Sequence, residues 1–197
     1  MSPQRSNRAI LVEGTLRCLE RLPPERITAR AIAEESGANL ASIAYHFGSK
    51  DKLVTEAAIT GLDRWLEEVA DGLGDVDAQE PAERYRRAGE VIERTRVRHG
   101  GLARTFLAAL AMAQHDERVR ELLAAGFERT RPSVAALLGL GEDQAGDDAA
   151  GLVLGLFYGL LFQTLLDPAL AIEGEGMQRA QARLRTILPE AGAREAR

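Results

Sequence analysis

The chain has 197 residues, enough for one small helical unit joined to a medium-sized one and too few for two large domains. Hydrophobic residues make up 45% of it and aromatics 5%, with Ala, Leu, Glu and Arg dominant, a balance that favours helices with aliphatic cores and so an all-α fold. The net charge of -5 argues against a protein that coats nucleic acid nonspecifically, although residues 1–60 hold 8 Lys+Arg against 7 Asp+Glu and residues 61–197 hold 17 against 23, a mildly basic head on an acidic body.

From about residue 5 to 21, Leu11, Cys18 and Leu22, with Val12, Leu16 and Leu19 beside them, recur at three- and four-residue intervals. That spacing predicts an amphipathic helix, ended by Pro23 and Pro24. Cys18, the single cysteine, lies on the apolar stripe and reads as a small buried thiol in a reducing compartment. The apolar run before it, residues 9–12, is far short of a signal-peptide core, so no export is expected. Thr28 stands where an N-cap belongs, with Ile27 and Ile32 spaced for a hydrophobic staple. Ser36 and Gly37 close this short second helix, and Asn39 can cap a third that runs to about Phe47 before Gly48 stops it. Ser49 caps a longer fourth helix with Asp51 in its first turn and Leu53, Ala57, Gly61, Trp65 and Val69 along its apolar stripe, ending near Ala70. Residues 71–80, rich in Gly and Asp, predict a loop, and Pro81 opens the fifth helix. Helices follow at about 81–98, 102–114 and 117–138, separated by Gly100 and Gly101 and by the cap Asp116, with Pro132 expected to bend the last. After a polar linker at 141–148 come two more, at about 149–166 and 176–188. The uncharged run 149–162 is shorter than the ~20 residues that span a bilayer, and it reads as a buried helix with no membrane partner. The expectation is nine helices and no strand.

Two short helices around a glycine-containing turn, behind a longer supporting helix, form a helix-turn-helix arrangement. On the third helix Ile43 and Phe47 are four apart and can pack inward, leaving Leu40, Ala41, Ser42, Tyr45 and His46 outward. That face has the chemistry of a major-groove reader. Leu40 and Ala41 suit thymine methyls, Ser42 a base edge or phosphate, and Tyr45 and His46 offer polar tips on flat rings. The stretch ITARAIAEESGANLASIAYHFGSKDKL, residues 27–53, resembles the DNA-binding signature of the TetR family, with its Thr-capped helix, Gly turn and Tyr-His-Phe followed by Ser-Lys-Asp. The resemblance implies that Tyr45 and His46 meet bases or backbone. It also implies that Arg30 reaches a base or phosphate, and that Thr28 and Lys50, one of only two lysines, meet phosphates. Asn39, at the head of the third helix, is counted with them. One departure is Ala44, where the family often carries an aromatic ring expected to touch the backbone.

The organisation expected is a three-helix DNA-binding domain at 1–49, a six-helix ligand-binding and dimerisation domain at 50–190, and a disordered tail at 191–197. In the eighth helix Gly151, Gly155 and Gly159 recur every four residues, a small-residue stripe that lets another backbone come close. With Leu152, Leu156, Phe162 and Leu166, and with Met177, Ala180, Leu184 and Ile187 on the ninth helix, it could join two copies in a twofold four-helix bundle. The resemblance implies the same homodimer and, as the commoner mode, repression; paired heads imply a near-palindromic double-stranded operator, and the lone cysteine with no export expected implies a cytoplasmic location. Candidates for contact with a small-molecule effector are Trp65, Tyr85, His99, Arg104 and Phe106, followed by Met112, His115, Tyr158 and Gln163. The aliphatic body points to a hydrophobic or amphipathic effector. A di-iron or di-manganese bundle would need Glu-x-x-His pairs, but Ile43, Arg96 and Met112 precede His46, His99 and His115 by three. No P-loop, Gly-x-Ser-x-Gly or Cys-x-x-Cys occurs, so no catalysis, metal or cofactor is expected. The alternative reading is a helical DNA-binding protein controlled by a protein partner instead of a metabolite.

Overall fold

Side-chain oxygens that satisfy the first amides of each helix decide where this chain turns helical. The computed structural model describes residues 6–74 and 80–186. In it α1 (Asn7–Arg21) begins at Ser6, whose Oγ accepts from the Ala9 amide at 3.3 Å. A 3-10 turn at Pro24–Arg26 follows the prolines, and α2 (Ala29–Ser36) starts where Thr28 Oγ1 accepts from the Ala31 amide at 3.1 Å. Gly37, at φ +68°, ends α2. The second short helix, α3 (Ala41–Phe47), has Asn39 Oδ1 accepting from the Ala41 amide at 2.9 Å. Ser49 then opens α4 (Lys50–Leu73), its Oγ accepting from the Lys52 amide at 3.2 Å. The body continues with α5 (Pro81–Thr95), α6 (Gly100–Met112), α7 (Glu117–Leu138, containing Pro132), α8 (Gln144–Leu166) and, after a 3-10 turn at Pro168–Leu170, α9 (Gly174–Leu184). The described residues thus hold nine α-helices and no strand, the all-α fold expected. The tail at 191–197, Ile187 and the centre of the 71–80 loop lie outside the described residues.

Three boundaries differ from the sequence reading, each for a tertiary reason. Gly100 and Gly101, expected to precede the sixth helix, are its first turn, because a Cβ on Gly101 would sit 2.0 Å from the Leu19 carbonyl oxygen. The glycines there allow backbone contact between α6 and α1. Similarly, the expected linker at 141–148 is helical from Gln144 onward. Asp143 caps the Gly146 amide at 2.9 Å, and Gly146 packs so closely under the Gly141 carbonyl that no Cβ fits. The fourth helix runs on to Leu73 because Leu73 is buried in the body core.

Two cores share the long helix α4. Leu11, Cys18 and Leu19 of α1, Ile32 of α2 and Ile43 and Phe47 of α3 pack on Leu53, Ala57 and Ala58 of α4, with Ile27 and Ile32 both buried as a staple requires. Farther along α4, Trp65, Val69 and Leu73 join Val91 of α5, Val134 and Leu138 of α7 and Ala150 and Leu154 of α8. Leu53 and Trp65 are about 18 Å apart along α4 at 1.5 Å per residue. One rigid rod therefore reaches from the head core into the body core. The run 149–162 is not a wholly buried helix as expected. Ala150, Leu154 and Leu161 are buried, but Leu152 is 78% and Leu156 42% exposed, and Leu166, beyond the run, is 81% exposed. By length and composition alone α8 would suffice to cross a membrane. It is apolar all round, while α6 and α7 cover only one face.

Candidate nucleic-acid interface

The short helix α3 is held from behind. Ile43 (3% exposed) and Phe47 (8%) insert into the head core, and the Arg8 guanidinium lies over the Phe47 ring at 5.1 Å while pairing with Glu56 of α4 at 2.6 Å. With its inner stripe pinned, the helix turns Leu40, Ala41 and Tyr45 to solvent, Tyr45 at 85% exposure, and leaves Ser42 and His46 half-buried. The His46 ring stands edge-on to Tyr45 at 4.8 Å and to Phe47 at 6.4 Å. That contact fixes its direction more than Tyr45's. Arg30, in the first turn of α2, is exposed and has no carboxylate partner among the described residues. Thr28 is exposed at the same helix start. The Asn39 carboxamide oxygen is used by the Ala41 amide. Lys50 Nζ rests on Asp51 Oδ1 at 2.6 Å in a half-exposed pair that water screens. The nine residues singled out in the sequence therefore lie on three consecutive short segments, at the starts of α2 and α4 and along the outer face of α3.

Residues 11–57 match the family model for bacterial regulatory proteins of the tetR family. Those residues form a head of that family's DNA-binding type, which marks a transcription regulator, and they contain every element of the exposed surface just described. No protein with a curated description matches the chain. Solved structures with the same fold include one from Pseudomonas aeruginosa PAO1, assigned as a candidate transcriptional regulator, with 24% identity, TM-score 0.65 and 94% of this chain and 91% of that one covered. A second, from Rhodococcus sp. RHA1 and assigned likewise, has 19% identity, TM-score 0.68 and coverage of 93% and 96%. A third, the multidrug binding protein EbrR complexed with imidazole, has 22% identity, TM-score 0.62 and coverage of 98% and 100%.

In the body, α4, α5, α7 and α8 surround a cavity of about 90 Å³. Trp65 and Tyr158, both singled out in the sequence, line it. The Trp65 indole N–H donates to Thr95 Oγ1 at 2.7 Å, and its ring meets His99 at 4.6 Å and Phe157 at 5.4 Å. His99 Nε2 in turn meets Glu68 at 3.0 Å. Phe106 stacks on Tyr158 at 5.0 Å, behind the lining, and Met112 packs in the neighbouring α6–α7 cluster. Tyr85 reaches Gln181 of α9. Arg104, His115 and Gln163 are exposed and away from the cavity. Sequence reasoning missed Asp63, Phe157 and the aliphatic majority of the wall, because helical spacing marks such residues as core without telling a packed core from a hollow one. Burial and the nearby Asp63 carboxylate push the Tyr158 hydroxyl up to about 12. A wider trough of about 720 Å³ beside α1 and α2 is an open charged surface, crossed by ion pairs from Arg17 and Arg21 to Glu35.

On α8, a Cβ at Gly155 or Gly159 would meet nothing within 4 Å, whereas one at Gly151 would lie 3.2 Å from Arg131 Nε. Gly155 and Gly159 thus share the open face with Leu152, Leu156 and Leu166, while Gly151 faces into its own chain. Phe162 stacks on Tyr158 at 6.1 Å. No residue of α9 is buried, and Leu184 is exposed.

Proposed function

We propose that this regulator is a homodimeric, non-enzymatic cytoplasmic repressor that grips a near-palindromic operator with two copies of α3 and releases it when a small molecule occupies the body. The observation that carries the reading is the division of α3 into a buried stripe, Ile43 and Phe47, and an exposed one, Leu40, Ala41 and Tyr45 with the half-buried Ser42 and His46. A face of that composition, unpartnered in the chain, suits a major groove. The exposed apolar face of α8 and the unburied α9 support a dimer through a four-helix seam, which removes apolar surface from water on both copies.

Paired heads read half-sites about 34 Å apart, or a multiple of that, so anything that changes their separation changes affinity. The rod α4 carries the head core at Leu53 and the cavity wall at Trp65, which supports a direct mechanical route between the two. Coupling of about 1–3 kcal/mol, roughly 5- to 150-fold in affinity, is typical of such linkage. That the similarly folded EbrR was solved with imidazole is consistent with a small-molecule effector. Selection of bound DNA from genomic fragments, at low salt and without added small molecule, tests the reading. Enrichment of a site with twofold symmetry is expected, and equal retention of random DNA would overturn it.

A further inference from the structure

Arg8 is placed against a local rule. It stands in the first turn of α1, where the positive end of the helix dipole disfavours a cation, and no acidic residue of that turn offsets it. The side chain instead joins three helices. Its guanidinium lies over the Phe47 ring at 5.1 Å, and its Nη2 reaches both carboxylate oxygens of Glu56, at 2.6 and 2.7 Å. Phe47 is the last residue of α3 and Glu56 lies early in α4, so one guanidinium ties the start of α1 to the end of α3 and to α4.

The consequence falls on α3. At seven residues this helix is far below the roughly 12–15 that an isolated helix needs, so its direction is set by whatever holds it. Ile43 anchors its middle in the head core and Phe47 anchors its end. From Phe47 a row of rings runs outward, His46 edge-on to Phe47 at 6.4 Å and Tyr45 edge-on to His46 at 4.8 Å. Arg8 therefore bears on the inner member of a row whose outer members carry the polar tips of the exposed face. Its pair with Glu56 adds little to folding, because the Arg8 side chain is 53% exposed and water screens it. Such a contact holds a direction better than it holds a fold.

We propose that Arg8 is a positioning residue for DNA reading: held by Glu56, it fixes the Phe47 end of α3, aims Tyr45 and His46, and so sets base preference at that end of the half-site without touching DNA. The role rests on α3 being the groove-reading helix. Full-length wild type, Arg8→Gln, Arg8→Lys, Glu56→Ala and His46→Ala are compared by selection from a library randomised around the site that the wild type enriches, with affinity measured over a salt series. Arg8→Gln is expected to lower the ratio of specific to nonspecific affinity about tenfold, within the usual cost of one mismatched base pair, and to relax the same base pairs as His46→Ala. Its salt slope should match the wild type, since no phosphate contact is lost. Arg8→Lys keeps a cation over the ring and the pair with Glu56, so it should retain most of the preference. Glu56→Ala removes a negative charge and would tighten binding to all DNA if charge alone mattered, yet it should relax the same base pairs as Arg8→Gln. Melting temperatures of the Arg8 and Glu56 variants should stay within about 4 °C of the wild type.

A uniform loss of affinity in Arg8→Gln, with the salt slope lowered by about one, would make Arg8 a phosphate contact and overturn the proposal. So would tighter binding by Glu56→Ala with base preference intact, or an Arg8→Gln protein that melts far lower yet keeps its preferences, which would leave the contact a purely structural one. A wild-type protein that enriches no site refutes the regulator reading beneath, whereas one that enriches a site whose base preferences Arg8→Gln leaves untouched refutes the positioning role alone.

Discussion

Tyr45 projects from α3 with 85% of its surface in water and contributes little to the core beneath it, where Ile43 and Phe47 do the packing. Its removal should therefore separate binding from stability. Tyr45→Ala is expected to change unfolding free energy by less than about 0.5 kcal/mol, the usual range for a surface substitution, while DNA affinity falls in a mobility-shift assay. Lys50 acts differently. Its half-exposed pair with Asp51 holds it weakly enough for a phosphate to compete, so Lys50→Ala should weaken binding to every DNA sequence and lower the slope of log affinity against log salt by about one. Replacing Ser42 or Arg30 should instead relax preference at particular base pairs, and a uniform loss over a randomised operator library would refute base reading by those side chains. These residues were legible in the sequence because an i, i+4 buried pair on a seven-residue helix leaves few positions that can face outward. Of the cavity lining, only Trp65 and Tyr158 were singled out there. Arg104, His115 and Gln163 have the polar chemistry of a binding site, but their helices turn them to solvent, while Phe157 and Asp63 carry no local pattern that distinguishes them from ordinary core and surface.

At the scale of elements, the joint between head and body is a backbone contact. A methyl group on Gly101 would lie 2.0 Å from the Leu19 carbonyl oxygen, and a carbonyl in a helix cannot swing aside as a side chain can. Gly101→Ala is expected to destabilise the protein by about 1–3 kcal/mol in denaturant unfolding, the range for overpacking. A neutral result would mean that α6 shifts freely against α1. A second tie joins α4 to the segment before α6, where Glu68 meets His99 and Arg98. The hydrogen bond from His99, followed by Arg98, holds the Glu68 carboxyl below its ordinary value of 4.5. A carboxyl whose folded pKa lies below the unfolded one stabilises the fold fully above about 4.5, and the contribution disappears as pH falls through the lower folded value. Melting temperatures of the wild type and Glu68→Gln should therefore differ at pH 7 and converge in acid. A gap that stays constant down to pH 3 would show that Glu68 adds nothing ionic. The sequence marked Gly100 and Gly101 as a break because glycine usually punctuates helices. Only the proximity of Leu19 shows why they stand inside one.

For the whole molecule, the deciding feature is that α8 is apolar on more faces than one chain can cover. Gly155 has open space where a side chain would project, so Gly155→Arg should leave the single chain folded by circular dichroism. In sedimentation the variant should nevertheless run as a monomer, and its operator affinity should collapse because the two heads are no longer linked. A Gly155→Arg protein that remains dimeric would remove α8 from the seam. Gly151 has no such use, since its Cβ position is already filled by the Arg131 side chain.

Local chemistry in the sequence determined the all-helical fold, the caps at Thr28, Ser49 and Asp116, and the outward face of α3, because each depends on residues within one or two helical turns of one another. Tertiary structure alone decided that α4 is shared between two cores, that Gly101 is a contact and Gly155 an opening, and that Trp65 and Tyr158 border a hollow. Those facts depend on the distance between helices far apart in the chain, and no periodicity within a single helix encodes that distance.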